Sequence, residues 1–264
     1  ALGRIALTLA QNFNDQHKLG QDLTGALGQN FFTVGAPTVQ SSSLNTRTGT
    51  PTVSIDGASI AQLTASDYRL RFVGGNYQLT RLADNQVQTF ATLPQTVDGM
   101  IISAGAWAPN ANDSVLIQPT RSGARNIATA FSDARLIAAA APIRSSSALT
   151  NTGTAAISAG TVDVPPPPNP NLQHKVTITF TSPTTFDVFD VTSATTLATG
   201  VAYTAGANVA YNGWTAQITG NPAAGDKFTV ETNANGVADS RNAALLGALQ
   251  MANTLLGGAT SGAT

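Results

Sequence analysis

The chain predicts an α+β protein of several domains: a helical domain formed by its two ends, plus two β-rich modules in the middle. Three observations carry this. Apolar residues recur at helical spacing near both ends, and the interior alternates apolar and polar residues between Gly, Asn and Asp turns. A proline-rich stretch with a composition shift then divides that interior. At 264 residues, two or three compact units are expected. The expected limits are 1–32 with 233–264 for a discontinuous helical domain, 33–150 for the first β-rich domain, and 151–232 for an inserted second one. Each end is a helix with no start or stop of its own, so each is expected to bury its apolar stripe against the other.

The first helix is read from Leu2, Ile5, Leu9 and Phe13, with Ala6 and Ala10 on the same stripe. It runs through Gln16 and ends near Leu19-Gly20, glycine being a natural helix stop. Residues 22–32 form a glycine-punctuated turn closing on two aromatics, Phe31 and Phe32. Residues 33–62 carry short strand candidates, notably Thr52–Ile55 before the Asp56-Gly57 turn. From Asp67 the alternation is plain: Tyr68, Leu70 and Phe72, a Gly74-Gly75-Asn76 turn, then Tyr77, Leu79 and Arg81. Asp98-Gly99 precedes Met100–Ser103, and residues 113–117 close the block.

The same order returns a hundred residues on. Val176, Ile178 and Phe180 alternate, Ser182-Pro183-Thr184 turns, and Phe186 and Val188 follow. Asn212-Gly213-Trp214 stands where Asp98-Gly99-Met100 stood, and residues 226–230 close this block as 113–117 closed the first. Two related modules in tandem, at 68–118 and 175–231, are expected; two unrelated β-meanders sharing generic turn chemistry are the alternative. Between them, Ile127, Thr129 and Phe131 alternate like a strand, whereas 133–141 could be a short helix stopped by Pro142. Residues 145–160 read as low-complexity linker, and Pro165 to Pro170 as a semi-rigid spacer or a docking ligand for an aromatic groove. The second helix is capped by Asp239 or Ser240, with Ala244, Leu245, Leu249, Ala252 and Leu256 facing inward. Gly257-Gly258 and Ser261-Gly262 end the ordered region or mark a cut.

Composition narrows the function. Charged residues are 10% and aromatics 6%, so surface polarity rests on Thr, Ser, Asn and Gln, as in extended β-domains of secreted proteins. A net charge of −1 without a basic stripe makes nucleic acid and anionic membranes poor partners. No apolar run approaches the roughly 20 residues that span a bilayer. No signal-peptide pattern opens the chain, and a start at Ala1 without Met suggests an excised segment. Zero cysteines exclude disulfides and thiolate chemistry.

Catalytic, cofactor-binding and metal-ligating residues are expected to be none. His17 and His174 are isolated and expected to be solvated. Gly20 to Gly25 resembles half of a phosphate loop, but no Lys-Ser/Thr follows. Eight acids (Asp56, Asp67, Asp84, Asp98, Asp113, Asp133, Asp226 and Asp239) sit in turn or cap contexts, where Asp serves local backbone hydrogen bonds. Trp214 is expected in the core, and Trp107 in a loop is the one candidate for stacking a sugar.

The segment His17 to Phe32 resembles the G-x-D-L-x-G-x-x-G-x-x-F-F stretch of the flagellar hook-associated protein 1 family. Ser66-Asp67-Tyr68-Arg69-Leu70 is similar to the residues that lead into that family's β-domain, and Gly236 with Asp239-Ser240-Arg241-Asn242-Ala243 to its return helix. The resemblance implies an extracellular structural subunit at the hook–filament junction of the bacterial flagellum, secreted by the flagellar export apparatus. Its implied partners are the hook protein, the next junction protein, an export chaperone and, in the full-length protein, further copies of itself. The further helical segments of that family are missing here, so this segment by itself is expected to be monomeric. A secreted adhesin or carbohydrate-binding protein, and another axial protein such as the second junction protein or a flagellin, are the alternatives.

Overall fold

The computed structural model describes residues 1–255. Most of the regular structure is β-sheet, with helix α1 (Leu2–Lys18) at the N-terminus and helix α2 (Arg241–Ala248) near the other end. The residues cluster into two compact units. One comprises Ala1–Asn14, Phe31–Ala130 and the described residues from Gly247 on; the other comprises Asp15–Asn30 and Phe131–Leu246. Each unit therefore takes a share of α1 and a single β-module, whereas a separate helical domain and two β-rich ones were expected.

In the first unit, β1 (Phe32–Thr33) will pair with a later strand, and a module follows it. Its strands are β2 (Thr38–Ser41), β3 (Thr52–Ile55), β4 (Tyr68–Val73), β5 (Asn76–Arg81), β6 (Gln86–Phe90), β7 (Gln95–Val97), β8 (Met100–Ser103) and β9 (Ser114–Gln118). They form two antiparallel sheets, in the orders β2-β9-β4-β5-β6 and β3-β8-β7. The alternation in β4 buries Tyr68 and Leu70 and exposes Arg69 and Arg71, as a half-buried strand requires. Leu70, Leu79, Met100, Ile102 and Ile117 form the core, and Leu7 of α1 packs against it. Strand β10 (Ala128–Thr129) pairs with β1.

The second unit holds β11 (Ile143–Ser147), β12 (Ala156–Ile157), β13 (Thr161–Val162), β14 (Val176–Ser182), β15 (Thr185–Asp190), β16 (Thr195–Ala202), β17 (Asn208–Tyr211), β18 (Trp214–Thr219) and β19 (Lys227–Thr232). Its larger sheet runs β11-β19-β14-β15-β16, and in its smaller one β18 is flanked by β12, β13 and β17. The larger sheet repeats that of the first module strand for strand, so the two modules share one sheet topology. The hairpin turns agree too. Asp98-Gly99 has φ of 47° and 76°, and Asn212-Gly213 has 49° and 80°, the left-handed pair that a type I′ turn needs.

Three expectations need correction. Residues 145–160 do not form a linker: β11 is an edge strand hydrogen-bonded to β19, and β12 and β13 pair with β18. The second module thus begins at Ile143, and the prolines at 165–168 lie inside it, between β13 and β14. A lack of large apolar residues hid these strands, because an edge strand needs to bury few side chains. The possible helix at 133–141 is a single 3₁₀ turn, Ala134–Leu136, capped by the Asp133 side chain.

The helix faces also differ from those expected. The side of α1 that is buried deepest carries Leu7, Ala10, Asn14 and His17, while Leu2 on the expected stripe is exposed and Ile5, Leu9 and Phe13 are half-buried. On α2 the buried residue is Asn242; Ala244 and Leu245 are exposed, and Leu256 lies outside the described residues. On α1 the inward face combines apolar Leu7 and Ala10 with Asn14 and His17, which hydrogen-bond to backbone, and on α2 the inward Asn242 bonds to backbone.

Candidate functional site

The family-like segment after α1 explains why polar side chains are buried there. In the second unit, the last turn of α1 closes with Leu19 and Gly20 N–H donating to the Gln16 and His17 carbonyls. A Cβ at Gly20 would lie 2.1 Å from Asn242 Nδ2 and 2.5 Å from the Ala138 carbonyl oxygen; one at Gly28 would lie 1.9 Å from the His17 carbonyl oxygen. Only glycine permits these approaches. Between them the Asp22 carboxylate accepts from the N–H of Thr24 and Ala26 and from the Thr24 hydroxyl, and Gly25 takes φ of 87°. The pattern G-x-D-L-x-G-x-x-G is therefore a folded turn, not a phosphate cradle.

His17 is wholly buried, contrary to the solvated role expected for it. Ala138 N–H donates to its Nε2 at 2.9 Å, so that nitrogen carries no proton. The proton sits on Nδ1, which lies 2.7 Å from the Gln29 carbonyl oxygen and donates to it. Burial lowers the His17 pKa from its ordinary value, against smaller opposing effects of the Gln29 carbonyl and Asp22. Next to it, Asn242 donates to the Ala138 carbonyl at 2.6 Å and accepts from Gln16 Nε2 at 2.7 Å. Gln21 bridges Ala140 through both backbone groups and donates from its side chain to the Asn233 carbonyl. Helix end, turn, the 138–140 segment and the start of α2 are thus joined without a charged group at the centre.

The first unit has its own anchor. Asn14 donates to the Phe32 carbonyl at 2.9 Å and accepts from the Phe32 N–H at 2.8 Å, fixing the start of β1 against α1. Phe13, Phe31 and Phe32 stack around this pair, with ring centroids 4.8–5.3 Å apart. The closing Phe-Phe of the motif is therefore structural.

Other candidates resolve as follows. Trp107 is buried, which removes the sugar-stacking surface expected of it, and Trp214 is in the core. His174 is partly exposed and lies 2.8 Å from Asp190. Burial alone would raise the Asp190 carboxyl, but Ser193, His174 and Asn212 outweigh it and hold it well below the usual range. Asp113 and Asp226 are buried turn acids in equivalent places. Asp113 accepts N–H groups from Thr46, Arg47 and Asn110; Asp226 accepts them from Thr152, Gly153 and Ala223. Beside each, an asparagine exchanges two hydrogen bonds with a strand residue: Asn45 with Ser114, and Asn151 with Lys227. Sequence reasoning missed these asparagines, although Asn45-Thr46-Arg47-Thr48 and Asn151-Thr152-Gly153-Thr154 share a visible N-T-x-T pattern. Among the described residues no three His, Cys, Asp or Glu groups converge to hold a metal, and no helix is long and apolar enough to cross a membrane.

Known proteins resemble the chain. Residues 1–32 match the model described as flagellar hook-associated protein FlgK helical domain, and residues 40–119 the one described as flagellar hook-associated protein 1, D2-like domain. Flagellar hook-associated protein 1 of Salmonella typhimurium is 37% identical over 123 residues, 45% of this chain and 22% of that protein. The Escherichia coli protein is 32% identical over 144 residues, 53% of this chain and 25% of that one. The solved flagellar hook junction protein FlgK of Burkholderia pseudomallei matches with a TM-score of 0.82 at 30% identity, over 98% of this chain and 52% of that one. The class that these matches define is that of flagellar hook-associated proteins. Within it, the matched regions are those of the flagellar hook-associated protein 1 family. It spans about half the length of the solved relative, and the matched regions are about a quarter of the curated ones.

Proposed function

We propose that the chain is a structural element of the hook–filament junction and acts as an adaptor by protein–protein packing. The observation that carries this is the match of 98% of the chain, both β-modules included, to a protein described as the flagellar hook junction protein. The physics agrees. Leu2 is exposed and Ile5 and Leu9 are half-buried on one face of α1, a stripe suited to packing against further helical segments. In this reading the two chain ends join a helical domain in the whole protein, and the polar β-modules face outward. The partners are the hook protein on one side and the next junction protein on the other, with further copies alongside. Export through the flagellar apparatus, a chaperone in transit, an extracellular location and a monomeric state of this segment alone belong to the same proposal.

The test is complementation in a strain lacking its own copy. The full-length parent should restore motility, and a parent lacking residues 143–232 should restore most of it, since the second module repeats the topology of the first. A parent that is folded and exported yet leaves filaments detached with either gene would overturn the junction role.

A further inference from the structure

The outer face of the larger sheet in the first module carries Arg69 and Arg71, two residues apart at the centre of β4, both exposed. Arg69 lies opposite Leu116 and Thr80, and Arg71 opposite Ser114 and Gln78, so no acid stands across from either. Among the described residues, neither guanidinium is within ion-pair distance of a carboxylate; Arg71 is instead held at 2.8 Å by Asn112 Oδ1. Residues i and i+2 of a strand are roughly 7 Å apart, inside the screening length of about 8 Å, so the pair repels itself.

The second module shows that the fold does not need this. By register, the positions of Arg69 and Arg71 are those of Thr177 and Thr179 in β14. The arginines border an open trough of about 520 Å³, together with Ser42, Asn112, Leu116 and the exposed Leu44. Two cations at strand spacing beside a bare leucine match an extended polypeptide with carboxylates at alternate positions and an apolar neighbour. A small inorganic anion would have no use for the leucine.

We infer that this face of the first module docks an extended acidic segment of a partner protein, through Arg69 and Arg71. This stands apart from the junction reading, since it concerns one sheet face only. The test is fluorescence anisotropy with a labelled polyglutamate peptide at low and at physiological salt. The chain should bind it, and R69T/R71T, which copies the second module, should bind roughly tenfold more weakly, as expected for the loss of two exposed charge pairs. R125T/R135T, with the same loss of charge elsewhere, should bind like the unaltered chain, and inorganic phosphate should not displace the peptide. Unchanged binding by R69T/R71T, an equal loss in R125T/R135T, or displacement by phosphate would each overturn the inference. R69T alone, which removes no hydrogen bond from the fold, serves if the double variant is unstable, with at least a twofold loss expected and none counting against the idea.

Discussion

The two β-modules share one sheet topology built twice, and their differences separate what that topology needs from what each copy adds. Both keep an Asn-Thr turn locked on a buried aspartate, with Thr46 N–H donating to Asp113 and Thr152 N–H to Asp226, while Asn45 and Asn151 bond to the strand residues Ser114 and Lys227. Both keep a left-handed pair, Asp98-Gly99 and Asn212-Gly213, at one hairpin. In both, an aromatic at the end of the central strand exchanges backbone hydrogen bonds with the loop, Phe72 with Asn112 and Asp113, and Phe180 with Gly225 and Asp226. The charged interior contacts were free to change. Where the first module joins Tyr68, Asp98 and Arg81, the second joins His174, Asp190 and Asn212. Backbone-satisfying groups define this fold; side-chain ion pairs decorate it.

The largest effects should come from the two cores. Leu70 and Ile178 are equivalent by register and both fully buried, so Leu70→Ala and Ile178→Ala should each cost about 2–5 kcal/mol. Calorimetry should show each variant lowering a different transition; a single transition lowered equally by both would mean that the modules do not melt as separate units.

Next come the turn locks. Asp113→Ala and Asp226→Ala should lower the melting temperature of their own module by similar amounts, since each strands three backbone N–H groups. Backbone N–H groups, of Thr46 foremost for Asp113 and Ala223 for Asp226, hold both carboxyls below their ordinary 3.8. Their stabilisation is therefore complete above that value and lost as the pH falls through the lower folded-state value. Thermal melts below pH 4 that leave one module untouched would break the equivalence.

His17 distinguishes the units instead. Its folded-state pKa lies below 6.5, so the unfolded chain takes up the proton first. Stability of the second unit should be full above about pH 6.5 and fall as the pH drops below it. His17→Gln should be less stable at neutral pH but flat across this range; an unchanged slope would remove His17 as the cause.

The smallest effect is expected for Asp98→Asn, which installs the second module's residue type in the first. It breaks the 3.0 Å ion pair with Arg81 but keeps an acceptor for the Tyr68 hydroxyl, so a loss of about 1 kcal/mol or less is expected in chemical denaturation. A loss several times larger would show that the first module depends on its charge network after all.

Much of this was legible in the residues. The Tyr68 and Val176 alternations, the Asp98-Gly99 and Asn212-Gly213 turns and the closing Asp113 and Asp226 blocks recur in the same order in the two modules, and each marks a strand or hairpin of the structure. Strands β11 to β13 were not legible, because Ser145, Ser146, Ser147 and Ala156 bury little and resemble linker. The buried faces of the helices were not legible either. Their spacing marks Leu2, Ile5 and Leu9, but Asn14, His17 and Asn242 go inside because the surrounding backbone offers groups that water no longer reaches.

By itself, then, the sequence determined the local periods, the turn chemistry and the doubling of the β-module, all of which depend on neighbours a few residues apart. Tertiary structure alone decided which polar groups are buried and where the second module begins. Those outcomes depend on hydrogen-bond partners as far off as Ala138 is from His17, and on edge pairing to which side-chain pattern contributes little.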